Sequence, residues 1–287
     1  TVVVISTPRG HNHFYDLYQI AKNHPDWYCE RLTLNETKHI DIESIQKEIA
    51  NGEISEELAQ QEYFSHFDMG IEGSYYGRYV DKMRLENRIC EVPWENAFPV
   101  HVSFDLGMRD SMALIFFQLI GTVIHIIDYH ENHSQGLEYY ARYLQDKPYT
   151  YGKLIAPHDI KVRELGTGMS RQEKAESLGL KFTVAPNLLI IDGIEAVRSI
   201  LPKVWIDEKR CTRLVKCLEN YKREFDTKRK IYHERPEHSQ YSHGADAMRY
   251  LAISLSLLGE ESSAEDLEQK YFEAQYGNNG RLPWLFR

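Results

Sequence analysis

The chain of 287 residues lacks the phosphate-binding loop of nucleotide-hydrolysing motors. No segment fits the pattern Gly-x-x-x-x-Gly-Lys-Ser/Thr, whose backbone and lysine cradle the phosphates of a bound nucleotide. No apolar strand ending in paired acidic residues precedes Ser6 either. Because both elements are needed to hold and hydrolyse ATP, we do not expect ATPase activity from this chain alone.

Cysteine and long apolar runs are also scarce. The four cysteines show neither a Cys-x-x-Cys pair nor a Cys/His zinc spacing, so reduced cytosolic thiols are expected. The longest apolar run, around 123–127, is of strand length rather than membrane-spanning length. The chain opens on an apolar run, not on a signal peptide, and without an initiator Met. We therefore expect a fragment of a longer protein that does not enter a membrane.

Positive charge is in deficit, with 34 Lys and Arg against 43 Asp and Glu and a net charge of −9. This balance disfavours a protein that coats DNA, but not an enzyme that meets DNA locally, since an acidic metal site is itself negative. Basic residues do gather within 222–230, at Lys222, Arg223, Lys228, Arg229 and Lys230. This cluster is either a solvated charged hairpin or a loop that contacts phosphates.

Three aspartates in strand-end or helix-start contexts are the most informative feature that is present. Asp105 and Asp159 end apolar runs in HVSFDLG and LIAPHDI, and Asp246 lies in SHGADAMRY at the start of a predicted helix. Carboxylates brought together repel one another unless a cation neutralises them. An oxygen cluster of this kind suits Mg²⁺ or Mn²⁺, and two such ions can activate water at a phosphodiester.

The pattern of strands and helices predicts two unequal parts. The first, residues 1–85, begins with a strand at Thr1–Ile5, and residues 86–98 read as a connection. In the second, residues 99–258, three strand-like runs form an antiparallel meander, followed by strands that alternate with helices. This order predicts an α/β fold with a mixed sheet. Its last helix starts near His243 with Ser242 as N-cap, and residues 259–287 form a tail.

The order of these motifs resembles the large subunit of the terminase of tailed bacteriophages, up to about residue 258. Residues 5–10, ISTPRG, with Ser6, Thr7 and Pro8 at their centre, resemble the coupling motif that ends the terminase ATPase core. Gln61-Glu62-Tyr63 with Phe67 resembles the lid segment that follows it. The resemblance therefore implies that residues 1–85 are the C-terminal fragment of a P-loop ATPase domain, with ATP bound only in a full-length protein.

The three aspartates resemble the acidic motifs of the terminase nuclease domain. The matching segments are residues 104–107 (FDLG), 157–159 (PHD) and 242–247 (SHGADA). The resemblance implies a ribonuclease-H-like fold for residues 99–258, with a mixed five-stranded sheet flanked by helices. It also implies a metal-dependent endodeoxyribonuclease that cuts concatemeric viral DNA by two-metal phosphodiester hydrolysis. Double-stranded DNA, the terminase small subunit and the portal protein are its implied partners, in the cytoplasm of the infected host rather than in the virion.

Within this resemblance each acidic motif supplies a candidate site residue. Asp105, Asp159 and Asp246 are the expected ligands of two Mg²⁺ or Mn²⁺ ions, with Asp110 as an outer carboxylate. His243 lies three residues before Asp246 and shares its helix face. It could bind metal, orient water or shuttle protons.

Basic residues after Asp159 are the candidates for DNA contact. Arg163 and Arg171 follow it in sequence and are expected near the scissile phosphate, although a solvated face is the competing interpretation. A second expected contact is formed by Lys228, Arg229 and Lys230.

Two other functional classes stay open. A resolvase or integrase-type enzyme of ribonuclease-H-like fold would need the same carboxylates, but would leave STPRGHNHFY and the QEY segment unexplained. A non-catalytic motor fragment that docks to the portal or small subunit is the third possibility. Metal-dependent nicking of plasmid DNA distinguishes these classes.

Overall fold

The computed structural model describes most of the chain, in ranges separated by short gaps. They are residues 2–8, 13–37, 39–51, 53–54, 56–65, 67, 73–107, 111–163, 168–226 and 231–258. The chain divides into two compact units, Thr1–Lys82 with Leu218–Glu237 and Met83–Cys217 with His238–Arg287. The sequence-based division into ATPase fragment, linker, nuclease domain and tail stays a prediction, because compactness alone does not identify the role of a segment.

Five helices precede the first strand in the described ranges. The helices are α1 (His13–Asn23), α2 (Leu34–Thr37), α3 (Ile42–Ala50), α4 (Glu56–Phe64), α5 (Gly77–Leu85), α6 (Leu137–Gln145), α7 (Arg171–Ser177), α8 (Ile190–Ile200), α9 (Thr212–Asn220) and α10 (Ser242–Ser254). The strands are β1 (Ile89–Cys90), β2 (Val100–Asp105), β3 (Ser111–Ile120), β4 (Val123–His133), β5 (Tyr151–Ala156), β6 (Phe182–Val184), β7 (Val204–Asp207), β8 (Arg223–Asp226) and β9 (Ile231–Pro236). None of these helices is long and apolar enough to cross a membrane.

The first unit has a small core of its own. Leu34, Ile45 and Ala59, from α2, α3 and α4, are buried against one another. The strand predicted at Thr1–Ile5 is wrong for the residues described there, which have no regular secondary structure and are exposed. A β-branched run favours extended backbone, but it becomes a strand only where a neighbouring strand supplies hydrogen bonds.

The second unit is built on one seven-stranded sheet in the order β1-β7-β4-β3-β2-β5-β6. Strand β3 runs antiparallel to both of its neighbours, and the other pairs are parallel. The mixed α/β class is confirmed, and the five predicted strands form the block β4-β3-β2-β5-β6. The strand count is corrected from five to seven, because β7 and β1 extend the edge beside β4. They were missed because they have only four and two residues.

The two faces of β2 serve different purposes. Val100, Val102 and Phe104 point into the main core, which they share with residues of α6. Because side chains alternate along a strand, Ser103 and Asp105 point to the opposite face. There α10 packs across β2 and β3 beside α8, and the Ser103 hydroxyl donates to the Ala247 carbonyl at 2.8 Å.

Helix α10 begins one residue earlier than predicted. Ser242 is its first helical residue, and Tyr241 holds the N-cap position without a side-chain capping bond. The Ser242 hydroxyl instead accepts the Ser239 backbone N–H at 2.9 Å. The predicted capping role of Ser242 is therefore wrong, because its side chain closes the preceding turn rather than the first turn of the helix.

Candidate active site

Adjacent parallel strands bring Asp105 and Asp159 to the same edge of the sheet. Strands β2 and β5 pair in parallel, with Ser103 opposite Ile155, so their C-terminal ends lie side by side. Asp105 is the last residue of β2, and Asp159 lies in the short 3₁₀ helix His158–Lys161 after β5. Open α/β sheets commonly place their functional groups at this end of the strands.

The first turn of α10 adds a histidine to this edge. His243 Nδ1 lies 3.0 Å from Asp105 Oδ2, and both side chains are largely buried. Asp246 follows three residues later on the same helix face. The structure thus joins the first and third acidic motifs, which lie far apart in the sequence.

Asp105 occupies an environment that opposes its ionisation. Burial raises the pKa of Asp105 to about 6; the hydrogen bond with His243 lowers it, and the nearby Asp246 carboxylate raises it further. Water stabilises a carboxylate charge, and a neighbouring carboxylate repels it. A carboxyl group with a raised pKa in a cluster of like charges is typical of a functional site.

Tyr250 shows that all three carboxylates occupy one electrostatic region. Burial raises the pKa of the Tyr250 phenol to about 12; Arg249 lowers it, and the charges of Asp105, Asp246 and Asp159 each raise it. All three aspartates act on this one hydroxyl. The structure therefore gathers the predicted set around the start of α10.

Two arginines act as counter-charges for Asp246 and Asp159. Arg249 Nε and Nη2 both lie 3.0 Å from Asp246 Oδ1, and Arg171 Nη1 lies 3.7 Å from Asp159 Oδ2. Arg171 had been predicted to contact phosphate, whereas Arg249 was missed. Its spacing of three residues from Asp246 on a helix is the signal that could have revealed the pair.

The donor chemistry of the cluster fits a hard divalent cation. In the described ranges, no three His, Cys, Asp or Glu side chains converge closely enough to form a ready-made metal cage. However, Asp159 Oδ1 is buried and lacks a hydrogen-bond partner among the described residues. A buried carboxylate oxygen without a partner is costly, and a cation would satisfy it. Carboxylate oxygens are the ligands that Mg²⁺ and Mn²⁺ prefer.

Several predicted site residues cannot be compared with this cluster. Asp110, Lys228, Arg229 and Lys230 lie outside the described residues. Arg163 is exposed, and its backbone forms an isolated antiparallel bridge with Ser170.

Helix α1 and Phe67, both in the first unit, meet through aromatic rings. The Phe67 ring lies 5.0 Å from that of Tyr15 and 5.1 Å from that of Tyr18, between ring centroids. Residues 6–8 (Ser6, Thr7 and Pro8) have no regular secondary structure, and residues 9–12 fall outside the described ranges.

The strand order and the acidic strand ends define a class before any relative is considered. The structure has a mixed sheet with a central antiparallel meander, flanked by helices and bearing carboxylates on adjacent strand ends, which is the α/β class predicted from the sequence.

Comparison with known proteins narrows this class. No family model matches the chain. It is 24% identical over 264 residues to the terminase large subunit of Escherichia phage T5, covering 88% of this chain and 58% of that protein. The resemblance to large terminase subunits, predicted from the motifs, is thereby confirmed. The chain spans less than two thirds of that relative's length.

Solved structures with a similar fold also come from large terminases. A large terminase from a thermophilic bacteriophage matches with a TM-score of 0.49 and 15% identity, covering 87% of this chain and 62% of that one. The nuclease of the large terminase from thermophilic phage G20c, solved with bound cobalt, matches with a TM-score of 0.45 and 13% identity. That match covers 64% of this chain and 97% of the G20c chain.

Proposed function

We propose that this chain is a metal-dependent DNA endonuclease of a phage packaging terminase, which cuts concatemeric viral DNA by hydrolysis. The observation that carries the proposal is the position of Asp105 and Asp159 at the ends of paired parallel strands, beside the start of α10 that carries His243 and Asp246, with Asp159 Oδ1 buried and without a hydrogen-bond partner among the described residues. The similarity to the terminase large subunit of Escherichia phage T5 supports the biological role.

The three aspartates would hold two Mg²⁺ or Mn²⁺ ions, with Asp110 as an outer carboxylate. Such ions, when bound, lower the pKa of an attacking water and stabilise charge on the departing 3′ oxygen. Asp105 would be one of the residues that hold these ions, since its carboxylate lies beside His243 and near the charge of Asp246. Asp159 offers its buried oxygen from the neighbouring strand end.

His243 is the proposed proton carrier. With Asp105 ionised, the contact between His243 Nδ1 and Asp105 Oδ2 makes Nδ1 the donor. Nε2 is then the nitrogen of the neutral His243 ring that can accept a proton. It would orient the attacking water and accept its proton.

Arg249 and Arg171 hold the side chains of Asp246 and Asp159 in place. The Arg249 side chain is only 9% exposed, its Nε donates to Asp246 Oδ1, and its Nη2 lies 3.0 Å from the same oxygen, so it restricts the position of that carboxylate. Arg171 approaches Asp159 less closely. Its guanidinium is the group of this pair that we propose for contact with a phosphate next to the cluster.

DNA contact is proposed for Arg163 and Arg171 and for Lys228, Arg229 and Lys230. The chain is acidic overall, so few phosphates, about 3–5, would be neutralised, giving a log–log salt slope of roughly −3 to −4. Changing Lys228, Arg229 and Lys230 to Glu should weaken binding to every DNA sequence alike. A loss confined to particular sequences would instead indicate contacts with bases.

The remaining partners follow from the same role. Double-stranded DNA is the substrate, and the small subunit and portal are partners in the cytoplasm of the infected host. ATP hydrolysis would need a phosphate-binding loop that these 287 residues do not contain.

Cleavage of supercoiled plasmid under two conditions decides the proposal. Mn²⁺ is present in one and replaced by EDTA in the other, both at about pH 7.5, well above the Asp105 pKa. We expect nicking and linearisation only with Mn²⁺, and loss of both in Asp105→Asn. The matched control is Asp192→Asn, an exposed carboxylate in the first turn of α8.

The outcomes separate the three classes. A parent chain that never cuts in Mn²⁺ contradicts the nuclease and favours the docking fragment. A chain that cuts only four-way junctions and leaves plasmid intact would be of the resolvase type.

A further inference from the structure

The start of α10 is held by contacts from other elements rather than by its own cap. The N-cap residue Tyr241 makes no side-chain capping bond. The Ala245 N–H lies 3.5 Å from the Tyr241 carbonyl, at the limit of a hydrogen bond. The first turn nevertheless carries His243 and Asp246, whose positions decide whether the cluster forms.

Arg213, on α9, reaches the chain just before this turn. Its Nη2 donates to the Gln240 carbonyl at 2.6 Å, and its guanidinium lies 5.2 Å from the centre of the Tyr241 ring. Its Nε donates to Glu131 Oε2 at 3.0 Å. One guanidinium group therefore connects the residues that lead into α10 to a residue of the sheet.

Glu131 lies level with Asp105 across the sheet. Asp105 pairs with Ala113 on β3, and Ala113 pairs with Glu131 on β4, so all three side chains share the face on which α10 packs. The Glu131 side chain is 12% exposed, and its Oε2 also accepts the Tyr129 hydroxyl at 2.8 Å. Glu131 is therefore fixed before it binds Arg213.

Gly244 leaves this arrangement little freedom. A Cβ at Gly244 would stand 2.9 Å from Tyr129 Oη and 2.9 Å from Cys217 Sγ. The first turn of α10 thus lies directly on the residues that flank Glu131 and Arg213. A shift of the helix start toward the sheet is blocked by this contact, and a shift away from it is opposed by Arg213.

We infer that Arg213 and Glu131 are positioning residues for the proposed nuclease, setting the start of α10 so that His243 meets Asp105 and Asp246 joins the cluster. The inference rests on the proposed function. The two residues act through the backbone of 240–241. The guanidinium is suited to this because its planar fork serves a carboxylate, a carbonyl and a ring together, which a lysine ammonium cannot.

Mn²⁺ binding measured by calorimetry without DNA tests this inference directly, in the parent, Arg213→Lys and Arg213→Ala. We expect binding to weaken about 10- to 100-fold in both variants, with Arg213→Lys folded like the parent because it keeps a positive charge beside Glu131. Plasmid cleavage should show a fall in kcat with an unchanged KM for DNA. All measurements are made at a temperature at which circular dichroism shows each variant to be fully folded.

Arg198→Ala is the matched control, since Arg198 forms an ion pair with the exposed Glu195 within α8. It should bind Mn²⁺ and cleave like the parent. If Arg213→Ala does not fold, Arg213→Lys decides the question. An Arg213→Lys variant with parental Mn²⁺ affinity and kcat would overturn the inference, even if it melted earlier. A parent that neither binds Mn²⁺ nor cuts DNA would instead contradict the proposed function.

Discussion

Two buried aspartates of the same sheet, Asp128 and Asp105, have opposite surroundings. Asp128, on β4, accepts from Lys147 Nζ at 2.6 Å and from the Tyr129 backbone N–H at 2.9 Å, and the Tyr149 hydroxyl lies 3.5 Å away. Asp128 and Lys147 form a satisfied ion pair in the core.

Among the described residues, the Asp105 side chain has one hydrogen-bond partner, His243, and a second carboxylate nearby, and its pKa is raised to about 6. Burial alone therefore does not distinguish a structural aspartate from a functional one. The difference lies in whether the surroundings neutralise the charge or concentrate more charge of the same sign.

The largest expected difference between the two aspartates is in catalysis. Asp105→Asn or Asp246→Asn should lower plasmid cleavage in Mn²⁺ by about a thousandfold or more, because each removes a ligand on which the water and the leaving oxygen depend. Asp128→Asn, assayed at a temperature at which it is folded, should keep its rate within a few-fold. Equal losses of cleavage in all three variants would place Asp128 in the site, and Asp128 and Asp105 would no longer differ in role.

The next largest effect is on stability, where we expect Asp128 to matter more than Asp105. Asp128→Asn leaves the Lys147 ammonium without its carboxylate, which should cost about 2–4 kcal/mol of unfolding free energy. We expect a loss of unfolding free energy in the lower part of this range, because the Lys147 side chain is 26% exposed and water can solvate its charge. Urea unfolding in EDTA measures it. A loss below about 0.5 kcal/mol would show that the pair is not structural.

Added metal should stabilise only the chain with an intact cluster. At a Mn²⁺ concentration of about 100 times its Kd, the parent should gain about 2.7 kcal/mol, because the ion binds the folded state alone. Thermal melts with and without Mn²⁺ follow this gain. It should persist in Asp128→Asn and disappear in Asp105→Asn; a gain that survives Asp105→Asn would mean that the ion binds elsewhere.

The smallest expected effect is a pH dependence specific to Asp105. A carboxyl whose pKa is higher in the folded chain than in the unfolded chain holds its proton more tightly when folded. Its stabilising contribution is therefore complete below about pH 4 and is lost as the pH rises through about 6. Asp105→Asn cannot lose this proton, so in EDTA its advantage over the parent should grow from near zero at pH 4 to about 1–3 kcal/mol at pH 7.5. A difference that is flat across this window would contradict the raised pKa.

Much of the sheet could be predicted because its strands have long, regular patterns. The ten-residue β3 is buried along most of its length, and its apolar run is unmistakable. Strand β1 could not be found, since two residues carry no periodicity and become a strand only by pairing with β7. The run at Thr1–Ile5 failed for the converse reason: a strong β pattern without a neighbouring strand in the described ranges has no regular secondary structure.

The acidic members of the candidate site were predictable, but most of their partners were not. Asp105 and Asp159 lie at the ends of strands, and Asp246 lies near the start of a helix, and local patterns reveal these positions. The contacts of Glu131 and Arg213 depend on the register between β3 and β4 and on the path of α9, which separate sequence segments do not specify. Arg249 is the exception, because its spacing from Asp246 on α10 could have indicated the pair.

The central claim is that Asp105, Asp159 and Asp246 bind divalent cations together, and crystals soaked in Mn²⁺ test it most directly. The account predicts anomalous difference peaks at the manganese edge in contact with oxygens of all three carboxylates, and their loss in Asp105→Asn crystals. Asp246 and Asp159 should then move relative to Arg249 and Arg171, their partners without metal. Fully soaked crystals with no peak at these carboxylates, or with manganese bound only at other residues, would contradict the account.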